Sequence, residues 1–550
     1  MSDARATTVA APPISTVDPA SAPSRIHALL LAALLAFVAA AHFAWLTADG
    51  SFAGFNELAF LEWQLKFNQA LLSAPAAEWL SWHHLRPAGF FLVGSLFQWI
   101  GGGSILSLRC LSAFFHLLWI GLVYAAGKRW HSPTTGLAAA FVAGLSPLGT
   151  IMAHQYAPFL LEAALTTLAA YTALADGRRH PGRWIAINGL AFGAALWIER
   201  FTPFLYLTAI SLSVLILWRE PRDRLPWRGI VRSLAAVWLI ALAIAGPSLV
   251  GWARENWSYG QALFHQADIP GRESLYYLRY LVPHLTGAAA LPLLIAGAVV
   301  LALRDRRRAW LILLWLGLPL AVLSAAASKN MVYTLSLTTP LALLAGRGLS
   351  AVPGRGRRAV IGGALLLVHL ATWAWVVDSH GALAAELRPL AEGDRWWRPY
   401  IPKSEPKAYF SAAPLLAALA GVAAEPQDVW IAPTAAWPPD DDLPPVDWAV
   451  VSMLTAAWNR VPGRYLLVGE KFFAGAAFSR PGEVNLVRLP AAAARALPLL
   501  EECGPYRFVL VENDEWSTRL ATALGGYRLE RTRGFYAGLL PVTLWTASPQ

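Results

Sequence analysis

HLRPAGFFLVGSLFQWIGGG, His84 to Gly103, decides how the rest of this chain is threaded. It is apolar enough to pass for a membrane span, yet it is short and interrupted by glycines. Counted as a span, it reverses the sidedness of every later loop. Counted as a juxtamembrane or re-entrant helix, it lets all loop charges fall into one alternating pattern, and that reading is adopted here.

Composition supplies the need for a membrane. The chain has 550 residues, 56% hydrophobic and 14% charged, with a mean hydropathy of +0.46. Soluble domains carry about a quarter charged residues, so a polytopic membrane protein is expected. The net charge of +10 resides largely in arginines of short loops between apolar runs. That is the footprint of topology and not of nucleic-acid binding. Cys110 falls in an expected span and Cys503 in the C-terminal region, so neither a disulfide framework nor a cysteine metal site is indicated. Residues 1–25, rich in Ala, Pro, Ser and Thr, read as a disordered cytoplasmic tail without the pattern of a cleavable signal.

A helix needs about 20 apolar residues to cross a bilayer. The expected spans are Ile26–Thr47, Ile105–Ala126, Gly136–Ala153, Pro158–Ala175, Trp184–Ile198, Pro203–Trp218, Ser233–Trp252, Leu285–Leu303, Trp310–Ala327, Val332–Ala345 and Ala359–Val377. That makes about eleven. The loops GKRWHS, DGRRHPGR, WREPRDRLPWRG, RDRRR and GRGLSAVPGRGRR then share one side, which the positive-inside rule makes cytoplasmic. The outer side receives residues 48–104, the HQYA and ERFT junctions, 253–284, SKN and everything after Asp378.

Those outer segments carry Glu57, His83, His84, Arg86, His154, Glu199, Arg200 and Lys329. Ionisable groups gathered at span ends on one face suggest a shared polar site. The competing reading is that each snorkels to the headgroups. Beyond residue 378 charge rises, and short β-rich runs (DVWIAP, YLLVGE, YRFVLVEN) alternate with Ala/Leu-rich stretches. This predicts an α/β domain over 379–550, placed outside by the topology. Asp440–Asp442 within WPPDDDLPP read as a solvated turn, because no partner ligands are spaced to close a metal site.

The order of these pieces resembles the GT-C glycosyltransferases, in their protein O-mannosyltransferase, aminoarabinose transferase and RgtA-like branches. His84–Trp130 resembles the family's juxtamembrane helix and next span, and GLAAAFVAGLSPLGTIMAHQYAPFLLEAALTTLAAYTAL resembles the hairpin that follows. GLAFGAALWIERFTPFLYLTAI, YTLSLTTPLALLAGRGLS and the closing ALGGYRLERTRGFYAGLLPVTLWTA resemble later family segments. The resemblance implies a GT-C transmembrane domain over 26–378 and a sugar donor carried on polyprenyl phosphate within membrane lipid. The family's acid pair in the first outer loop is matched by Asn56-Glu57 in GFNELAF, so one carboxylate is replaced by an amide. A second family acid has no match at the HQYAP junction, where Ala157 stands, and Glu162 lies about one turn further in.

Transfer of a sugar to a hydroxyl requires a base, cations for the departing phosphate, and a lipid-facing groove. Glu57 is the candidate base, and Asn56 can only orient a hydroxyl or donate to Glu57. The competing reading of Glu57 is a first-turn acid favoured by the helix dipole. Arg86, Arg200 and Lys329 are the candidate phosphate cations, although Arg200 has Glu199 beside it as a local partner. His83, His84, His154, Gln155 and Tyr156 are candidate substrate contacts. A divalent metal held by Glu57, His83 and His84 is left open, since adjacent histidines usually face apart on a helix. The function expected is transfer of a sugar to a glycan, lipid or protein hydroxyl at the outer face of the cytoplasmic membrane. The alternative is a non-catalytic homologue that binds lipid-linked glycans. A secondary transporter ranks last, because no repeated hydropathy pattern is visible.

Overall fold

The computed structural model describes residues 25–48, 55–82, 86–101, 105–173, 181–217, 226–255, 276–326 and 331–378. It also describes the strand residues 429–433, 463–468, 478–480, 484–489, 506–511, 527–537 and 540–549. The first part is helical throughout. In order it holds α1 Arg25–Ala48, α2 Phe55–Ser73, α3 Ala76–Leu80, α4 Ala88–Gly101, α5 Ile105–Trp130, α6 Pro133–Gly144, α7 Pro147–Ala153 and α8 Phe159–Ala173. There follow α9 Pro181–Ile198, α10 Phe201–Leu217, α11 Trp227–Glu255, α12 Tyr276–Leu285, α13 Leu291–Arg304, α14 Arg306–Ala325, α15 Thr338–Ala351 and α16 Arg355–Asp378.

The decisive stretch forms α4, a helix of 14 residues. At 1.5 Å per residue it is about 21 Å long, less than the roughly 30 Å of a hydrocarbon core. It buries Phe90, Phe91, Gly94 and Gln98 and leaves Trp99 and Ile100 exposed. Each of the eleven expected spans contains helix. Among the described residues four helices are long and apolar enough to cross alone, within Arg25–Leu46, Leu106–Trp130, Trp227–Ala253 and Arg308–Ala325.

Three expected spans differ from continuous helices. Gly136–Ala153 is broken into α6 and α7, bent by 59°. Ser146 caps the second piece, its hydroxyl accepting from Gly149 N at 3.1 Å, and Pro147 starts it without an N–H. The segment opening at Leu285 turns at Gly287, whose φ of 75° lies in the left-handed region, before α13 begins. Val332–Ala345 begins as the 3-10 stretch Met331–Leu337 and becomes α-helical only from Thr338.

Small residues let the helices approach closely, as interfaces between membrane helices favour. A methyl group on Gly297 of α13 would collide with the carbonyl oxygen of Leu344 on α15, and one on Gly348 with the carbonyl of Leu293. Polar contacts sit inside the apolar packing. Trp119 Nε1 donates to Thr167 Oγ1 at 3.1 Å and to Thr339 Oγ1 at 3.0 Å, tying α5 to α8 and α15.

The loops sort into two ends of the bundle. At one end His27 meets Thr134 at 3.3 Å, Arg129 lies over Tyr171, and His131 feels Arg308 and Arg347. These are segments that loop charge assigns to the cytoplasmic side. At the other end Ser248 Oγ donates to the Trp82 carbonyl at 2.7 Å and Tyr206 OH to the Tyr333 carbonyl at 2.6 Å. These belong to junctions assigned outside, or to span ends facing them.

In the C-terminal part, DVWIAP contains β1 Val429–Pro433, YLLVGE overlaps β2 Gly463–Val468, and YRFVLVEN contains β5 Tyr506–Val511. With β3 Phe478–Arg480, β4 Val484–Leu489, β6 Tyr527–Ala537 and β7 Leu540–Pro549 they form one sheet ordered β3-β4-β2-β1-β5-β7-β6. The four strands β4, β2, β1 and β5 are mutually parallel, and β3, β7 and β6 run antiparallel to their neighbours. Parallel neighbours require crossover connections. The helices expected there, the Asp440–Asp442 turn and Cys503 lie outside the described residues, as does the tail before Arg25.

Candidate active site

The outer end is organised around α2 and α4, which a polar ladder clamps together. Gln64 Nε2 shares its two hydrogens among the Phe91 carbonyl at 3.0 Å, Ser95 Oγ at 2.9 Å and Asn68 Oδ1 at 2.7 Å. Asn68 Nδ2 passes the ladder on to Gln98 Oε1 at 2.7 Å. Tyr156 OH donates to Gln64 Oε1, and the Tyr156 ring stacks on Phe90 with centroids 4.7 Å apart. The HQYAP junction is thereby tied to the helix whose first turn carries Asn56 and Glu57. The side chains of Asn56 and Glu57 lie outside the described set, as do His83, His84 and Lys329 altogether.

Arg86 stands just before α4. Its Nε lies 2.6 Å from Glu199 Oε2 beyond the end of α9, with the two side chains 15% and 6% exposed. The guanidinium carbon sits 5.4 Å from the Phe60 ring centre and 6.0 Å from that of Phe159. Phe60 follows Glu57 by three residues on α2, so the ring beneath Arg86 marks the turn next to Glu57. Glu199 Oε1 in turn accepts from the Arg200 backbone N–H at 3.0 Å. Apolar rings and the close Glu199 carboxylate leave this cation poorly solvated, so its charge acts at greater strength than in water.

Arg200 is buried, with its guanidinium 5.6 Å from the Trp252 ring centre. Burial pulls it down to about 9, Glu199 holds it up, and Arg86 lowers it further. It remains a cation at neutral pH. Glu162, in the first turn of α8, is buried within electrostatic reach of Glu199 and Arg86, and its Oε1 accepts from Ser336 Oγ at 3.4 Å. Glu199 and Glu162 thus bring two carboxylates within electrostatic reach of Arg86, the second about one helical turn beyond the HQYAP junction. Sequence reasoning noted Glu162 without assigning it a role, since position in a helix does not reveal whether a side chain faces a site or lipid.

His154, Gln155 and Tyr156 are all buried. His154 stacks on Trp45 with centroids 3.8 Å apart and heads a chain of histidines. His154 Nε2 lies 2.9 Å from His42 Nδ1, His42 Nε2 lies 2.9 Å from His116 Nδ1, and His116 Nε2 lies 3.3 Å from the Ala143 carbonyl. A carbonyl only accepts, so His116 Nε2 carries a proton. In a neutral chain each ring then donates from Nε2 in the same direction. Among the described residues no group of three or more His, Cys, Asp or Glu is gathered to hold a metal. The Glu57, His83 and His84 combination falls outside that set.

Residues 85–249, from the start of the decisive stretch to α11, match the family described as dolichyl-phosphate-mannose-protein mannosyltransferase. An undecaprenyl phosphate-alpha-4-amino-4-deoxy-L-arabinose arabinosyl transferase of Pseudomonas aeruginosa is 29% identical over 305 residues, covering 52% of this chain and 54% of that protein. Its counterpart in Erwinia tasmaniensis is 25% identical over 305 residues, 52% and 53% of the two chains. The chain therefore matches about half the length of these curated relatives. The crystal structure of ArnT from Cupriavidus metallidurans bound to undecaprenyl phosphate superposes with a TM-score of 0.61 at 15% identity, over 96% of this chain and 100% of that one.

Proposed function

We propose that this chain is a membrane glycosyltransferase of the GT-C superfamily, transferring a sugar from a polyprenyl-phosphate donor to an acceptor hydroxyl at the outer face of the cytoplasmic membrane; the family match over 85–249, the arabinosyl transferase relatives and the ArnT fold support this reading. One observation carries the reading. A poorly solvated guanidinium, Arg86, stands over Phe60, one turn from Glu57, in the segment that matches the mannosyltransferase family. The aminoarabinose transferases among the relatives take a pentose-like sugar from undecaprenyl phosphate by name, so a hexosyl or pentosyl donor on that carrier is the substrate class proposed.

In this reading Glu57 takes the acceptor proton as the new glycosidic bond forms, and Asn56 orients that hydroxyl. Arg86, with Arg200 and Lys329, receives the negative charge that collects on the departing phosphate. Phosphate oxygens would replace Glu199 as the partner of Arg86, so the ion pair holds the cation ready while the site is empty. Tyr156 and Gln155 brace the wall of the site from inside, and His83 and His84 approach the substrate from the segment just before Arg86. Acceptor choice, whether glycan, lipid or protein, is left to the outer domain proposed over 379–550.

The same ion pair supports a second reading, a non-catalytic homologue that binds lipid-linked glycans, because Arg86 is already neutralised and Asn56 is no base. Reconstitution with radiolabelled polyprenyl-phosphate sugars separates the two. Glu57→Gln should lower turnover by about 10²–10⁴-fold if Glu57 is the general base. Turnover that survives the substitution removes Glu57 from that role. Folded wild-type protein that turns over no donor with any acceptor favours the binding protein.

A further inference from the structure

The end of the bundle away from Arg86 holds more positive charge than its described carboxylates balance. Asp305 caps α14, its Oδ1 accepting from Arg308 N at 3.2 Å and its Oδ2 pairing with Arg308 Nη1 at 3.1 Å. Both oxygens are therefore engaged by one arginine. Arg347 on α15 feels Arg308 and Arg304 as neighbouring cations and Asp305 as the opposing charge. Its Nη1 donates to Ser350 Oγ at 3.3 Å on its own helix, while its buried Nε has no hydrogen-bond partner among the described residues. His131, just past α5, faces the same group. Burial with Arg347 and Arg308 holds it near 4 against the pull of Asp305, so it is neutral in the cell, and its buried Nδ1 also has no hydrogen-bond partner among the described residues.

Among the described residues, three guanidinium groups meet one carboxylate here. Counted over the described residues, that leaves two positive charges in excess on helix ends. The close packing of Gly297 and Gly348 sets α13 against α15, and a methyl on Gly346 would collide with the Thr135 carbonyl, so the backbone that carries Arg347 is held against the start of α6, just after His131. Cations fixed together beside unused donors are preorganised for an anion with several oxygens, and the guanidinium fork matches phosphate. Next to Arg304 the side chain of Leu303 is 81% exposed, and Trp310 is also exposed. Apolar surface beside the cations suits an amphiphile better than a free ion.

We propose that Arg304, Arg308, Arg347 and His131 form a binding site for a phosphate group, supplied by the headgroup of an anionic phospholipid in the cytoplasmic leaflet. Ser336, which bonds Glu162, precedes α15, whereas Arg347 lies well along that helix, so this site is separate from the Glu162 cluster.

The test uses the full chain in neutral detergent and follows its thermal unfolding. Short-chain phosphatidylglycerol, phosphatidylcholine and inorganic phosphate are titrated separately. Phosphatidylglycerol should raise the melting temperature saturably while phosphatidylcholine does not. Arg347→Gln should raise the lipid concentration at half-effect by about tenfold through loss of a charge-assisted contact, and Arg347→Lys should recover part of it. Exposed Arg304→Gln, a variant of low folding risk, should shift it in the same direction. Equal responses to the two lipids, or titrations unchanged in both glutamine variants, overturn the proposal. A saturable, Arg347-dependent response to inorganic phosphate that phosphatidylglycerol does not exceed keeps the phosphate site and overturns the lipid as its source.

Discussion

Arg86 Nε and Glu199 Oε2 are 2.6 Å apart, joining a position two residues before α4 to the residue after α9 across more than a hundred positions of chain. Removing one partner from a buried pair leaves an uncompensated charge, at a cost of about 3–5 kcal/mol. Glu199→Ala should therefore destabilise the protein by about that amount at its upper solvent-screened limit, and less if water reaches Arg86. Replacing both, as Arg86→Met with Glu199→Leu, should recover most of the stability and none of the transfer activity. Chemical unfolding and turnover measured on wild type, Glu199→Ala and the double variant check this. Full activity in the double variant would remove Arg86 from the phosphate site.

Glu162 is the buried second carboxylate, bonded to Ser336 and close to Arg86. If it serves the transfer site, Glu162→Gln keeps the shape and the Ser336 contact while losing the group that can take or give a proton. We expect a folded protein with turnover reduced by about tenfold or more, the lower end of what a positioned acid or base supplies. Unaltered kcat and KM would confine Glu162 to packing.

The histidine chain makes a prediction about protons. His116 Nε2 faces a carbonyl, so nitrogen-15 spectra of histidine-labelled protein should find His42 and His116 as Nε2–H tautomers. His42→Ala removes the central link and leaves buried polar atoms on His154 and His116 unpaired, costing about 1–3 kcal/mol for each group. Nδ1–H tautomers at His116 would contradict the chain as drawn.

His131 titrates in the folded protein near 4, below its ordinary value of 6.5, because burial and two arginines disfavour its charged form. The unfolded chain therefore binds a proton here between pH 6.5 and 4 that the folded chain does not. Stability should fall as pH drops through that window and be insensitive to His131 above it. His131→Gln should flatten this part of the pH profile of the melting temperature. A profile that keeps its slope in the variant would assign the loss to other groups.

Gly297 packs against the Leu344 carbonyl with no room for a methyl. Gly297→Ala should destabilise the helical domain by about 1–3 kcal/mol, the usual cost of overpacking. Gly317→Ala, where a methyl meets nothing within 4 Å, should be neutral or slightly stabilising through helix propensity. Equal effects at the two positions would show that α13 and α15 can separate.

Much of the architecture was legible in one dimension. Hydropathy located helices wherever a span was expected, because the bilayer demands long apolar runs with internally bonded backbones. Arginine-rich loops announced one end of the bundle, and structure gathers His27, Thr134, His131, Arg308 and Arg347 there. The strand runs at Val429, Tyr465 and Tyr506 were readable from their β-branched and aromatic content. Breaks were harder to place. Ser146-Pro147 and Gly287 carry local signals, but the 3-10 start before Thr338 arises from packing and has none that is distinctive.

The site divides in the same way. Sequence alone determined which residue types stand at the span ends, and so put Arg86, Glu199, Arg200 and the Asn56-Glu57 turn in one candidate group. It also showed that an amide stands where a carboxylate was expected, which no packing can alter. Only tertiary structure decided that Arg86 pairs with Glu199, that Glu162 faces the same cluster, and that His154 and Tyr156 bond inward to His42 and Gln64. The reason is physical. Hydropathy and charge act residue by residue and are written along the chain, whereas an ion pair across a bundle depends on helix rotation and approach, set by small-residue contacts such as Gly297 on Leu344.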